Sequence, residues 1–106
     1  MAWLYLFTAG ALEIAATTVF RYTDGMSRVA PTVAFFAIGI ASFYLLNRSL
    51  EGVPLGTAYA VWTGIGAAGT AVLGIMAYGE AGTPIRIALL FGLVACTVGL
   101  KFVSAE

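Results

Sequence analysis

The stretch from Leu55 to Tyr78, LGTAYAVWTGIGAAGTAVLGIMAY, contains no charged residue. Three more apolar runs accompany it, over residues 3–20, 31–47 and 85–103. A helix needs about 20 apolar residues to cross the roughly 30 Å hydrocarbon core of a bilayer, and all four runs approach or meet that length. The runs lack the two-residue alternation of barrel strands. The sequence therefore predicts an all-α membrane protein with four transmembrane helices, at about 3–20, 31–47, 55–78 and 85–103.

Composition supports this prediction. Of the 106 residues, 61% are hydrophobic and only 9% are charged, whereas soluble domains carry roughly 25% charged residues. The apolar surplus must therefore face lipid. The loops are too short for a soluble domain, so residues 1–106 are expected to form a single four-helix domain. The first run lacks a basic flank and is too long for a signal-peptide core, so we expect it to be a retained helix.

Charge and cysteine content exclude several function classes. The formal net charge is +0 and no basic run occurs, which argues against a nucleic-acid partner. The chain has no histidine and one cysteine, so the usual ligand sets for zinc and haem are missing, and we expect neither a metal nor a cofactor. We interpret the cysteine, Cys96, as a small packing residue.

The loop charges give almost no preferred orientation in the membrane. If the helices alternate in direction, Arg21, Arg28 and Arg86 share one side, whereas Arg48 and Lys101 lie on the other side with the N-terminal amine. This bias of three against two is close to balance under the positive-inside rule. The chain could insert in both orientations, or one extra charge could fix a single orientation.

Glu13 is the only charged residue between Trp3 and Phe20. It lies about ten residues into the first run, which at 1.5 Å per residue is about 15 Å deep. An acid near the bilayer midplane costs at least about 2.5 kcal/mol, so such residues are functional candidates. No lysine or arginine at that depth can neutralise it, so it can exchange a proton and attract a cation. The alternative is a protonated side chain hydrogen-bonded to a neighbouring helix.

Small residues flank Glu13 on its helix face. They lie three and four positions away and leave room for a ligand or another helix; they are Ala9, Gly10, Ala16 and Thr17.

A second candidate surface lies on the third helix. Tyr59, Trp62 and Thr63 are spaced three and four residues apart, so they share one face. The tyrosine hydroxyl could donate to a carboxylate, and aromatic rings attract organic cations by about 0.5–2 kcal/mol. We favour a binding wall over an interfacial aromatic belt, because Trp62 is roughly 12 Å deep in its helix.

Glycines mark two further features. Gly64 and Gly66 weaken the third helix, since glycine costs about 1 kcal/mol relative to alanine, and they predict either a hinge or close packing. Gly92 and Gly99, spaced seven residues apart in the fourth run, belong to a small-residue stripe suited to helix–helix contact. That contact could lie within one bundle or between two copies.

Four stretches carry a family resemblance. ALEIAATT at 11–18 holds the acid, RYTDGMSR at 21–28 precedes Pro31, and ASFYLL lies at 41–46. The longest and most specific is VPLGTAYAVWTGIG at 53–66. Together they resemble the small multidrug resistance family of bacterial transporters over essentially the whole chain.

This resemblance implies an antiparallel, dual-topology homodimer in the bacterial inner membrane. Each protomer would contribute Glu13 to one shared site, where protons and small organic cations compete, so that proton entry drives cation export. The resemblance also implies roles for other residues: Tyr59 and Trp62 line the site with Ser42 nearby, Gly64 and Gly66 form a bend, and Gly92 and Gly99 make the dimer contact.

The residues near Glu13 indicate which branch of the family, and therefore which substrate, to expect. Guanidinium exporters of the family typically have tryptophan where this chain has Ala16, and the following Thr17 and Thr18 are typical of the multidrug branch. Gly39 and Tyr44, however, replace a tyrosine and a tryptophan that are frequent in that branch. We expect a proton-coupled exporter of cations such as quaternary ammonium compounds, with a guanidinium exporter or one subunit of a heterodimer as the alternative.

Two other functions are compatible with the residues. One is a non-transporting membrane subunit, and the other is a passive channel, for which a single acid in four helices gives thin support. An enzyme is not expected, because the sequence offers no nucleophile–base pair, metal set or phosphate loop.

Overall fold

The computed structural model describes residues 1–103, and residues 104–106 of the predicted domain lie outside this range. The described chain forms four long helices: α1 (Ala2–Phe20), α2 (Val29–Ser49), α3 (Leu55–Ala77) and α4 (Pro84–Val103). Each is long and apolar enough to cross a membrane, and no strand occurs between residues 1 and 103. The predicted all-α, four-helix membrane fold is confirmed.

The helix ends differ from the predicted ends by at most two residues. Helix α2 begins at Val29, before Pro31, and continues to Ser49. A proline is tolerated in the first turn because its missing N–H would have no partner there. Helix α4 begins on Pro84 itself, a position where the fixed φ of proline suits the helix.

Helix α1 continues into a short 3-10 turn, Arg21–Thr23, before the chain reverses. The next three residues, Asp24, Gly25 and Met26, all have positive φ, at 49°, 69° and 67°. Only glycine adopts this conformation without steric cost, so Gly25 suits the centre of this reversal. The side chain of Thr23 is buried here and donates to the Phe20 carbonyl at 2.9 Å.

Helices α1 and α3 lie side by side and run in the same direction. Their contacts advance together along both helices, with a nearly constant sequence offset. The pairs are Gly10–Ile65, Glu13–Gly66, Ile14–Gly69 and Thr17–Thr70. This parallel arrangement places the start of the α3–α4 loop beside the end of α1, so Arg21 and Arg86 lie at one end of the bundle, as the alternation of helices predicts.

The core is small and lies between α1, α2 and α3. Its buried residues are Leu6, Ala9, Leu46, Val53, Ala58, Val61 and Trp62. Helix α4 packs mainly on α3, and Thr97 is its buried residue. Much of the apolar surface of a single chain is therefore open, as expected for helices that face lipid or a second chain.

Candidate functional site

Glu13 lies midway along α1, at the point where α1 crosses Gly66 of α3. A Cβ atom added to Gly66 would lie 2.7 Å from Glu13 Cγ, so only glycine allows the glutamate stem to pass so close to the α3 backbone. Glu13 is partly buried, and within residues 1–103 no hydrogen bond or ion pair reaches its carboxylate. The carboxylate is thus available to a proton or a cation.

A hydrogen-bond chain joins three helices one turn before Glu13. Trp62 Nε1 of α3 donates to Ser42 Oγ of α2 at 2.9 Å, and Ser42 Oγ donates to the Ala9 carbonyl of α1 at 2.7 Å. Ser42 is fully buried and Trp62 is only 6% exposed. Because both polar groups of this pair are satisfied, the chain fixes the indole ring in one orientation relative to α1.

The aromatic rings form a connected surface around Trp62. The Tyr59 ring centroid lies 5.7 Å from the Trp62 ring centroid. The Phe43 ring belongs to α2, and its centroid lies 5.0 Å from the Trp62 centroid. Tyr59 is 55% exposed, and Thr63 on the next turn is also exposed. Of the residues suggested by the sequence, the structure brings Ser42, Tyr59 and Trp62 together, and it leaves Tyr59 and Thr63 open at the surface.

Thr17 occupies a different environment from the one expected of a residue that lines the site. Its hydroxyl donates to the backbone carbonyls of Glu13 and Ile14 at 3.0 Å, and it pairs with the Thr70 hydroxyl of α3 at 2.6 Å. Thr17 therefore bridges α1 to α3, and its role in binding a cation stays a prediction. Sequence reasoning missed Thr70, although its position four residues after Gly66 places it on the α3 face that meets α1.

Helix α3 is continuous through Gly64 and Gly66. Gly64 faces the Thr97 hydroxyl of α4, and Gly66 faces Glu13. Both glycines therefore serve close packing, one of the two roles that the sequence left open, and the hinge stays a prediction. Gly92 and Gly99 have open space where a side chain would begin, so their contact with a second chain also stays a prediction.

Comparison with known proteins identifies the relatives of this chain. The family model described as "Small Multidrug Resistance protein" matches residues 1–95. A guanidinium exporter of Proteus vulgaris is 42% identical over 98% of this chain and 100% of its own length. A guanidinium exporter of Escherichia coli (strain K12) is 45% identical over 95% of this chain and 96% of its own length.

These matches extend from the first helix into the fourth. They include the Glu13 segment and the 53–66 stretch that contains Tyr59 and Trp62. The relatives are exporters, so the chain is a multi-pass membrane transporter and not an enzyme. With a family model that covers most of its length, the chain belongs to the small multidrug resistance family.

Proposed function

We propose that this chain exports guanidinium in exchange for protons across a bacterial inner membrane. The observation that carries the proposal is the Glu13 carboxylate, which has no protein partner in the described chain and lies one turn from the Ser42–Trp62 pair. A lone acid at this depth binds either a proton or a cation, so the two exclude one another. Relatives that are 42% and 45% identical over nearly the whole chain are named guanidinium exporters, which supports the substrate.

Guanidinium suits a carboxylate better than a quaternary ammonium ion does. Its planar N–H groups can donate two parallel hydrogen bonds to one carboxylate, whereas a quaternary ammonium ion has no N–H to donate. The sequence favoured the larger ions because Ala16 replaces a tryptophan. Ala16 is only 1% exposed, so its small side chain does not widen the open surface beside Glu13. The burial of Ala16 therefore favours the alternative hypothesis, export of guanidinium, over export of quaternary ammonium ions.

The proposed functional unit is an antiparallel homodimer. A single chain leaves Tyr59 and part of Glu13 open, and a second, inverted copy would enclose them and supply a second Glu13. Two neighbouring carboxylates titrate as a coupled pair, which makes proton release depend on cation binding. The nearly balanced loop charges are compatible with insertion in both orientations.

The test uses liposomes that contain this chain alone. We expect a guanidinium gradient to drive proton movement in the opposite direction, and tetramethylammonium to drive far less. Glu13→Gln should reduce proton-coupled exchange to background, because it removes the titrating group and keeps the side-chain shape; Glu13→Asp, which retains a carboxylate, is the matched control. Robust proton-coupled exchange by Glu13→Gln would contradict the proposal.

The same assay separates the alternatives. Preferential exchange of tetramethylammonium would assign the chain to quaternary ammonium export. A steady guanidinium current without proton movement would indicate a channel. Transport that appears only after a second protein is added would indicate a heterodimer or an accessory subunit.

A further inference from the structure

A polar cavity lies where α1 and α3 end on the same side of the membrane. Its volume is about 120 Å³, and the residues that line it include Thr17, Thr18, Thr70, Arg21 and Glu80 beside the apolar Phe20 and Leu73. Two larger cavities, of about 450 and 250 Å³, are lined almost wholly by apolar residues. A water molecule occupies about 30 Å³ in the liquid, so the polar cavity has room for more than one.

Glu80 forms the outer mouth of this cavity. Gly79 has a φ of 72°, which turns the chain so that the Glu80 N–H donates to the Gly74 carbonyl at 3.0 Å. The Glu80 carboxylate then lies against Gly74, where an added Cβ atom would be 2.5 Å from Glu80 Cδ. Arg21 and Arg86 approach the two carboxylate oxygens at 3.5 and 3.8 Å. The Glu80 side chain remains 43% exposed, so it is in contact with water.

Tyr78 lines the cavity beside Glu80, and Tyr22 contacts Tyr78. The Arg21 guanidinium lies 3.7 Å from the centroid of the Tyr78 ring, and the Tyr78 hydroxyl is 2.6 Å from that of Tyr22. This hydrogen bond is the main cause that raises the pKa of Tyr78. The tyrosine therefore stays neutral in the physiological range and leaves Glu80 as the acid at the mouth.

The inner end of the cavity is closed by Thr17 and Thr70, whose hydroxyls are 2.6 Å apart. Thr17 lies one helical turn after Glu13, on the same side of α1, and its hydroxyl already donates to the Glu13 carbonyl. Polar groups thus follow one another from Glu80 to the turn that carries Glu13. At this distance no cation fits between the two hydroxyl oxygens, but a proton can pass from one hydroxyl to the next.

We propose that this cavity is a water-filled proton path between the Glu80 end of the bundle and Glu13, separate from the surface that binds the cation. A protonated water at the inner end gives a proton to Thr70 Oγ1 and becomes neutral water, and Thr70 passes its own proton to Thr17 Oγ1. The Thr17 hydroxyl, which donates to backbone carbonyls at rest, then passes its own proton to a Glu13 carboxylate oxygen when the glutamate side chain rotates toward it. Each hydroxyl gains and loses one proton, and the carboxylate becomes neutral. The proposal rests on proton exchange at Glu13, which is part of the proposed function.

Comparing two modes of exchange tests the proton path separately from cation binding. Exchange of guanidinium for protons needs proton delivery, whereas exchange of guanidinium for guanidinium at constant pH needs only cation binding and movement between states. Thr70→Val removes the hydroxyl at nearly constant volume, and Thr70→Ser retains it. We expect Thr70→Val to slow proton-coupled exchange at least about tenfold while guanidinium self-exchange stays within about twofold, and Thr70→Ser to behave like the unmodified chain.

Other outcomes would overturn the path. An equal loss in both modes would assign Thr70 a packing role, and no loss in either mode would show that protons reach Glu13 by another way. If the unmodified chain fails to transport guanidinium, the proposed function fails first, and the cavity is then tested by a measurement that requires no transport.

That measurement is the reaction of a cysteine with silver ion, which requires water at the thiol. In a Cys96→Ala background, Thr70→Cys should react at least about tenfold faster than Val72→Cys, a control two residues away whose side chain lines the apolar cavities. The extent of reaction is measured as protection from thiol labelling after denaturation. Equal rates at the two positions would show that the cavity is dry and would overturn the path.

Discussion

At the scale of single residues, the properties of Glu13 depend on one glycine. The glutamate stem lies against the α3 backbone at Gly66, and no described side chain donates to its carboxylate or carries an opposing charge near it. A nearby arginine would have paired with the acid permanently and blocked both proton and cation. Burial without a partner is costly, and a transporter can use it because the acid then stays available to a proton or to the transported cation.

Adding one methyl group at Gly66 should displace the carboxylate. In Gly66→Ala the new Cβ would lie 2.7 Å from Glu13 Cγ, a contact that must be relieved by moving α1 or rotating the glutamate. Overpacking of this kind costs about 1–3 kcal/mol, so we expect guanidinium binding to weaken by about tenfold. Isothermal titration of the purified protein measures the change.

Gly56→Ala is the matched control for Gly66→Ala. It makes the same substitution in the same helix, at a position with open space around it, and should leave guanidinium affinity within about twofold while adding up to about 1 kcal/mol of helix propensity. Equal affinities for Gly66→Ala and Gly56→Ala would show that the close approach at Gly66 does not position Glu13.

At the scale of elements, α3 is the helix that joins α4 to the rest of the bundle, because it packs on both α1 and α4, whereas α2 packs mainly on α1. Four of its glycines contact neighbouring elements: Gly64 faces α4, Gly66 and Gly69 face α1, and Gly74 faces the α3–α4 loop. Small residues at such points let helix backbones approach closely, and the van der Waals contacts formed there contribute to helix association in a membrane. The weak helix propensity of this segment is therefore offset by contacts on several sides.

The contact between α3 and α4 gives a test at this scale. Gly64→Ala should be destabilising, because its methyl group would collide with the Thr97 hydroxyl, at a cost of about 1–3 kcal/mol. Thr97→Ala removes the colliding group, so we expect the double variant to recover most of that loss. The midpoint of thermal unfolding in detergent, measured for both single variants and the pair, gives the coupling energy. Strict additivity of the two substitutions would contradict the contact.

At the scale of the whole molecule, α4 has two distinct sides. Val94 and Thr97 face the cavities and glycines of α3, and with 3.6 residues per turn Gly92 and Gly99 lie on the other side. That side contacts nothing in the described chain where a Cβ would begin. A smooth, unoccupied stripe of this kind suits association of two copies.

If two copies associate through α4, a large side chain at Gly92 or Gly99 should prevent their association. Gly92→Leu and Gly99→Leu place a large side chain in open space, so we expect the helix content of the chain to be retained and the dimer to be lost. Cross-linking in membranes and the mass of the detergent-solubilised complex report this change. Gly92→Ala and Gly99→Ala keep the stripe small and are the controls that should keep the dimer. A dimer that survives both α4 substitutions would move the interface elsewhere.

The sequence by itself determined the helices and the candidate acid. Long runs without charge are a local property, and the thickness of a bilayer converts their length directly into spanning helices, so all four were predicted to within two residues at each end. The depth of Glu13 followed in the same way from helix rise. The specific 53–66 stretch indicated the family, which the comparisons confirmed.

Only the tertiary structure decided which side chains meet. The offset between α1 and α3 pairs Thr17 with Thr70 and places Glu13 on Gly66, and the turn at Gly79 brings Glu80 to the end of α1. Each pairing joins residues more than fifty positions apart, and it depends on how two helix surfaces interlock rather than on the residues within either helix. For the same reason the sequence could not separate glycines that admit a neighbour, such as Gly64, from those left open, such as Gly92. Helix formation depends on the residues of one segment, whereas helix packing depends on the surfaces of two helices together.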